Sequence, residues 1–287
     1  TNYTNSATYE EFPPRVSLSY ALVEDVNLYA AYSRGFKSGG FDMRGDAAAT
    51  PATANGYAPE TVDSYELGLR GLAFDNHLRF SGAIFHAAYE GQQVTSQQVN
   101  QAGTGVVSFV DNVGSSTING AELELHARLT SAFSLDFNVG YIDASFDEFL
   151  AYAPNPSAPP AYVLVDVSDQ RQFQNTPDWN GQLALNYLTP LFGGNLNVRG
   201  SVSFRSDTSM FETPAPEIDQ PGYELYDLSL VWTSDSNAWR FGLHGRNLTD
   251  ERYRTGGYYF TGLAFGDSVI GFYGPPRTVF ASLEYRY

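Results

Sequence analysis

Apolar and polar side chains alternate with a period of two along most of this chain. Residues 121–129 set Ala121, Leu123, Leu125, Ala127 and Leu129 against Glu122, Glu124, His126 and Arg128. Successive side chains of an extended strand point to opposite faces, so this segment reads as a strand with one oily and one charged side. Residues 133–141 repeat the pattern, with Phe133, Leu135, Phe137, Val139 and Tyr141 opposite Ser134, Asp136, Asn138 and Gly140. Thr130-Ser131-Ala132 between them is short enough to close a hairpin. The same rhythm predicts eleven strands, near 12–22, 26–34, 61–73, 77–92, 105–129, 133–148, 176–189, 195–207, 223–233, 238–250 and 275–287. Only the phase of 77–92 is left open by the pattern.

The connections alternate in length. Turns near 24–25, 75–76, 131, 193–194 and 235–236 are short, whereas 35–60, 93–104, 149–175, 208–222 and 251–274 are long. Short turns on one side and long loops on the other are how an all-β transmembrane antiparallel barrel of the bacterial outer membrane is built, with the long loops extracellular. That arrangement places the C-terminus in the periplasm. The terminal strand puts Val279, Ala281, Leu283, Tyr285 and Tyr287 on one face and Thr278, Ser282, Glu284 and Arg286 on the other, ending on an aromatic. An apolar outer face closed by an aromatic is the form expected of a membrane-insertion signal. Single-chain bacterial barrels have an even strand number. Eleven strands that start outside are therefore expected to be the C-terminal half of a larger barrel, with residues 1–287 one barrel domain that lacks a plug.

Composition sharpens the picture. Among 287 residues there are 20 Tyr, 20 Phe and 27 Gly but no Cys, which suits many strands with aromatic girdles better than a helical domain. The formal charge is −16 and Lys37 is the only lysine, so a phosphate backbone would be repelled and nucleic acid is excluded as a partner. No apolar run reaches the length of a transmembrane helix. Residues 1–20 do not read as a secretory leader, as expected of a processed chain or a fragment.

Several segments resemble those of TonB-dependent outer-membrane receptors, the 22-stranded barrels that import iron–siderophore complexes, haem, cobalamin or glycans. They are YSRGFKSGGFD at 32–42, PETVDSYELGLRG at 59–71, NVGSSTINGAELEL at 112–125, NTPDWNGQLALNY at 175–187 and GRNLTDERYR at 245–254, followed by the closing strand. They run in the family's order over nearly the whole chain, and eleven is half of 22. The resemblance implies active import of a scarce nutrient, iron–siderophore by default, with TonB-supplied energy. It also implies an N-terminal half holding the plug and first barrel strands, contact with the TonB system through that half, barrel-insertion machinery, and lipopolysaccharide and membrane lipid as partners. No cofactor and no enzyme activity are expected.

Two sets of loop residues are candidate ligand contacts. Loop 35–60 carries Phe36, Lys37, Phe41, Arg44 and Tyr57, and loop 251–274 carries Arg252, Tyr253, Arg254, Tyr258, Tyr259, Phe260 and Phe272. Aromatics beside Arg can stack on a planar ligand or a sugar while the guanidinium pairs with its carboxylates. Arg240, His244 and Arg246 form the best basic stripe on a strand, within a larger set of lumen-facing charges: Glu66, Arg70, Glu122, Glu124, Arg128, Arg199 and Arg205. A wet barrel wall is polar in any case. Histidines 77, 86, 126 and 244 are too scattered for a metal site, and Asp42, Asp46, Asp147 and Glu148 match no calcium loop. Two rival readings stay open, a passive porin-like channel of about 12 strands and a structural or adhesive outer-membrane barrel.

Overall fold

The computed structural model describes residues 4–44, 51–99, 106–154, 162–260 and 268–287. Its strands are β1 (Arg15–Val23), β2 (Val26–Lys37), β3 (Glu60–Ala73), β4 (Leu78–Glu90), β5 (Gln93–Val99), β6 (Val106–Asn112), β7 (Gly114–Arg128), β8 (Phe133–Pro154), β9 (Tyr162–Asp166), β10 (Trp179–Pro190), β11 (Gly194–Arg205), β12 (Tyr223–Ser234), β13 (Trp239–Arg246), β14 (Arg254–Phe260), β15 (Ser268–Tyr273) and β16 (Thr278–Tyr285). Eleven of them form one antiparallel sheet in the order β1-β2-β3-β4-β7-β8-β10-β11-β12-β13-β16, and β9 adds to the far end of β8. Among the described residues no helix is long and apolar enough to cross a membrane.

The alternating pattern predicted the eleven wall strands, but the loops hold more structure than it shows. Region 105–129 is two strands, because β6 pairs with β5 in a separate hairpin before β7 enters the wall. Loop 251–274 contains the hairpin β14–β15. Phe36 and Lys37 end a strand instead of lying in a loop, and Tyr287 falls beyond the end of β16. Asp46 and most of the proline-rich run at 153–162 lie outside the described residues.

Register fixes the two faces. Leu69 pairs with Gly82, Gly82 with Leu123, Leu123 with Val139, Val139 with Gly181 and Gly181 with Phe204, one apolar line across six strands. Trp239, Phe241, Leu243 and Gly245 of β13 meet Tyr285, Leu283, Ala281 and Val279 of β16 on the same face, as the terminal alternation predicts. Leu18, Leu67, Ile84, Leu243 and Leu283 are exposed. In water each such side chain forgoes roughly 1.5–3 kcal/mol of burial, whereas in a bilayer the face needs no protein cover. The phase of β4 is also settled: Phe80, Ile84 and His86 share the apolar face, while Arg79, Ser81 and Phe85 share the polar one. Phe85 fits there because its ring lies across Gly120, where a side chain would collide with it.

Short turns join the strands at one end of the sheet. Phe74, Asp75 and Asn76 adopt positive φ in the β3–β4 turn, and Phe192 and Gly193 do so between β10 and β11. The other end carries the long connections, which pack into two assemblies described next.

Candidate ligand-binding wall and loop assemblies

Polar side chains of four neighbouring strands meet on the face opposite the apolar one. Asp136 of β8 accepts hydrogen bonds from His126 Nδ1 at 2.7 Å, Arg199 Nη1 at 2.8 Å and Asn186 Nδ2 at 3.0 Å, so one carboxylate ties β7, β10 and β11 to β8. A concave stretch of about 840 Å³ beside it is lined by Arg70, Arg79, Glu124 and His126 among others. Tyr29 donates to Glu66 at 2.6 Å, and the Arg70 guanidinium lies 5.6 Å from the Tyr29 ring centre. Arg128 and Arg205 donate to the main-chain carbonyls of Asn76 and Asn175.

The basic stripe stands on this face as the alternation predicts. His244 lies between Ser229, 2.9 Å from Nδ1, and Ser282, 3.4 Å from Nε2, and stacks on Phe280. Arg246 covers the other part of that ring. Arg240 is 4.0 Å from Glu284, which Arg286 holds more closely at 2.6 Å. Arg240 thus makes a long ion pair and Arg246 a ring contact.

The first loop assembly joins 38–44 and 51–59 to the hairpin β5–β6. Asp42 accepts from Arg44 at 2.7 Å and from the Val110 main-chain amide at 2.8 Å, and Arg44 holds its carboxyl down at about 2. Gln93 Nε2 donates to the carbonyls of Ser38 and Ala58, while Asn112 both accepts from Ala58 N and donates to Ala58 O. Gly40 and Tyr57 exchange main-chain bonds. Burial raises the Asp111 carboxyl. Phe109 and Val113 are buried beneath, together with Phe149 from β8. Of the candidates here, Phe36 is exposed, Lys37 lies 3.9 Å from Glu60, and Arg44 is committed to Asp42.

The second assembly packs segment 208–222 against β14–β15. Met210, Ala215 and Ile218 are buried, with Phe211 and Tyr259 against them. Arg254 donates its main-chain amide to Gln220 Oε1 at 2.7 Å and its guanidinium to Asp219 O at 2.6 Å, so its cationic head holds the loop. Burial raises the Glu212 carboxyl. Tyr258 points away from this core and meets Phe272 edge-on at 5.4 Å. Phe260 ends β14, but its side chain lies outside the described residues. The candidates are thus split between two assemblies and the β13 stripe. Asp136 and Asn186 were invisible as partners in the sequence, since only the register of four strands brings them together. Among the described residues, no group of three or more His, Asp or Glu could hold a metal ion.

Known proteins share this architecture. The family described as TonB dependent receptor-like, beta-barrel, matches residues 1–248. The metal-pseudopaline receptor CntO of Pseudomonas aeruginosa is 27% identical over 290 residues, covering 99% of this chain and 35% of that protein. The pesticin receptor of Yersinia enterocolitica is 26% identical, covering 85% and 32%. The solved ferric yersiniabactin uptake receptor FyuA of Yersinia pestis superposes with a TM-score of 0.70 at 21% identity, over 94% of this chain and 36% of that one. The chain spans about a third of the length of the curated relatives it matches. Strand order, face polarity and the match over most of its length agree that this chain belongs to the TonB-dependent receptor β-barrel family.

Proposed function

We propose that this chain is the C-terminal half of a 22-stranded barrel domain in an outer-membrane receptor that imports a metal chelate, iron–siderophore by default, with TonB-supplied energy. The observation that carries the reading is the eleven-stranded sheet, uncovered on its apolar face and polar on the other, in a chain that matches receptors named for metal chelates. On this reading the long connections are extracellular and the short turns and C-terminus periplasmic. The partners are an N-terminal half with plug and first strands, the TonB system through that half, the insertion machinery reading Val279, Ala281, Leu283, Tyr285 and Tyr287, and lipopolysaccharide. Phe36, Tyr258, Arg240 and Arg246 are the ligand contacts. Arg44 and Arg254 act by shaping the loops that carry Tyr57 and Phe260, while Tyr259 packs into the core of the second.

The experiment is uptake of radioiron, offered on catecholate, hydroxamate and carboxylate chelators, by cells making the full-length protein in place of their own receptors. Saturable uptake of one chelate, abolished when TonB is deleted or the proton gradient is collapsed, is the expected result. Uptake that persists without energy would establish a passive channel instead. Chelate-independent cell attachment with no uptake would establish an adhesive barrel.

A further inference from the structure

One lateral line of polar side chains crosses the apolar face. Tyr32 pairs with Tyr65, Tyr65 with His86, His86 with Asn119 and Asn119 with Asp143, in unbroken register over β2, β3, β4, β7 and β8. The next line toward the turns is Leu67, Ile84, Ala121 and Tyr141 on the same face. The polar line lies toward the loop end of these strands. Tyr32 already donates to Asp63 at 2.7 Å, and Asp63 lies 3.4 Å from Arg34. His86 and Asn119 are less complete.

His86 Nδ1 lies 2.8 Å from Asn119 Oδ1. With that oxygen accepting, the neutral ring carries its proton on Nδ1 and leaves a lone pair on Nε2, while Asn119 Nδ2 keeps two donors. Neither remaining group has a hydrogen-bond partner among the described residues. Both side chains are exposed on the apolar face. Directly turnward, a groove of about 600 Å³ runs over Val16, Leu18, Ala30, Leu67 and Ile84. Its hollow exists because Ala30 stands between the longer Leu18 and Leu67 in register.

We propose that this groove and the His86–Asn119 pair bind an amide-linked acyl chain of lipopolysaccharide. The proposal rests on the outer-membrane reading above, which puts the loop end of the sheet in the outer leaflet. A secondary amide carries one N–H and one carbonyl, the complement of the free His86 Nε2 lone pair and Asn119 Nδ2 donors. The ester linkages of a phospholipid carry no N–H for Nε2, and the ammonium of phosphatidylethanolamine comes only with a phosphate. A phosphate would meet that lone pair and the Asp143 carboxylate next in line. The acyl chain then lies along the groove, with Tyr65 at its rim.

The test uses the full-length receptor extracted from outer membranes in mild detergent, with retained lipopolysaccharide and phosphatidylethanolamine counted by native mass spectrometry. Replacing both residues, His86→Leu with Asn119→Leu, suits an apolar face and is expected to cut retained lipopolysaccharide about tenfold or more. Phosphatidylethanolamine should stay unchanged. A second variant, Ala30→Phe, fills the groove while leaving the polar pair, and should cut lipopolysaccharide likewise. Unchanged lipopolysaccharide in both variants, or equal loss of both lipids, overturns the site. Radioiron uptake is measured in parallel: if the parent protein imports nothing yet its lipopolysaccharide depends on the pair, the receptor reading fails and this site stands.

Discussion

Asn247 and Glu251 hold each other through two hydrogen bonds of 2.8 Å, side-chain amide to main-chain carbonyl and main-chain amide to side-chain carbonyl. The same Asn247 amide reaches Pro275 O at 3.2 Å, and its own main-chain N–H donates to Asp227 of β12. One buried side chain thus joins the end of β13, the start of the following loop and the approach to β16. Its backbone is left-handed, φ 49°, a conformation Asn tolerates better than most residues.

Asn247→Ala is therefore expected to destabilise the last hairpin by roughly 2–3 kcal/mol, through unpaired main-chain groups and the left-handed backbone. Asn247→Asp keeps the acceptor toward Glu251 N but turns a buried carboxylate oxygen onto the carbonyls of Glu251 and Pro275, so it should cost at least as much. Urea unfolding of the full-length barrel in micelles measures this. A change below about 0.5 kcal/mol would show that Asn247 is dispensable for docking β16.

Asp42 gives the first loop assembly a pH signature. Its carboxyl sits at about 2 in the folded loop because Arg44 pairs with it and Val110 N donates to it, against roughly 3.9 in an unfolded chain. A depressed carboxyl stabilises the fold above the unfolded value and loses that contribution as the pH falls through the folded one. Amide protection factors in β5–β6, with the intrinsic pH dependence of exchange divided out, should accordingly fall between about pH 4 and pH 2. Arg44→Ala should raise the Asp42 pKa toward its unfolded value and shrink this loss, while Asp42→Asn should remove it. Protection factors flat across that window in the parent would refute the coupling.

Ile218 is fully buried in the second assembly. Ile218→Ala is expected to cost about 2–4 kcal/mol locally by leaving a cavity beside Met210 and Tyr259. Amide exchange should rise in 208–222 and 254–260 but not in β10–β13. Equal acceleration in the wall would mean that loop and sheet unfold together.

The wall was legible because each of its strands has one apolar face; Leu123 and Glu122 declare their sides before any partner is known. The hairpin β5–β6 was not, since QVTSQQV at 93–99 carries no apolar stripe to count. The phase of β4 was hidden by Phe80 and Phe85, large aromatics on opposite faces, and only Gly120 on the neighbouring strand explains the second. Candidate ligand arginines were identified by type, yet Arg44 and Arg254 turn out to hold Asp42 and Asp219. Residue type says that a guanidinium wants an acceptor; which acceptor reaches it first is decided by distant segments.

The bonds that join 38–44 and 51–59 to β5–β6 also bear on how such a receptor changes its taste. Gln93 and Asn112 read main-chain atoms of the other loop, and Asp42 reads the backbone of β6. Grafting either loop alone onto a related barrel would strand these groups, whereas moving both together carries these partners along. The two loops, separated by two wall strands, behave as one inherited piece, and divergence or engineering should succeed when it respects that pairing.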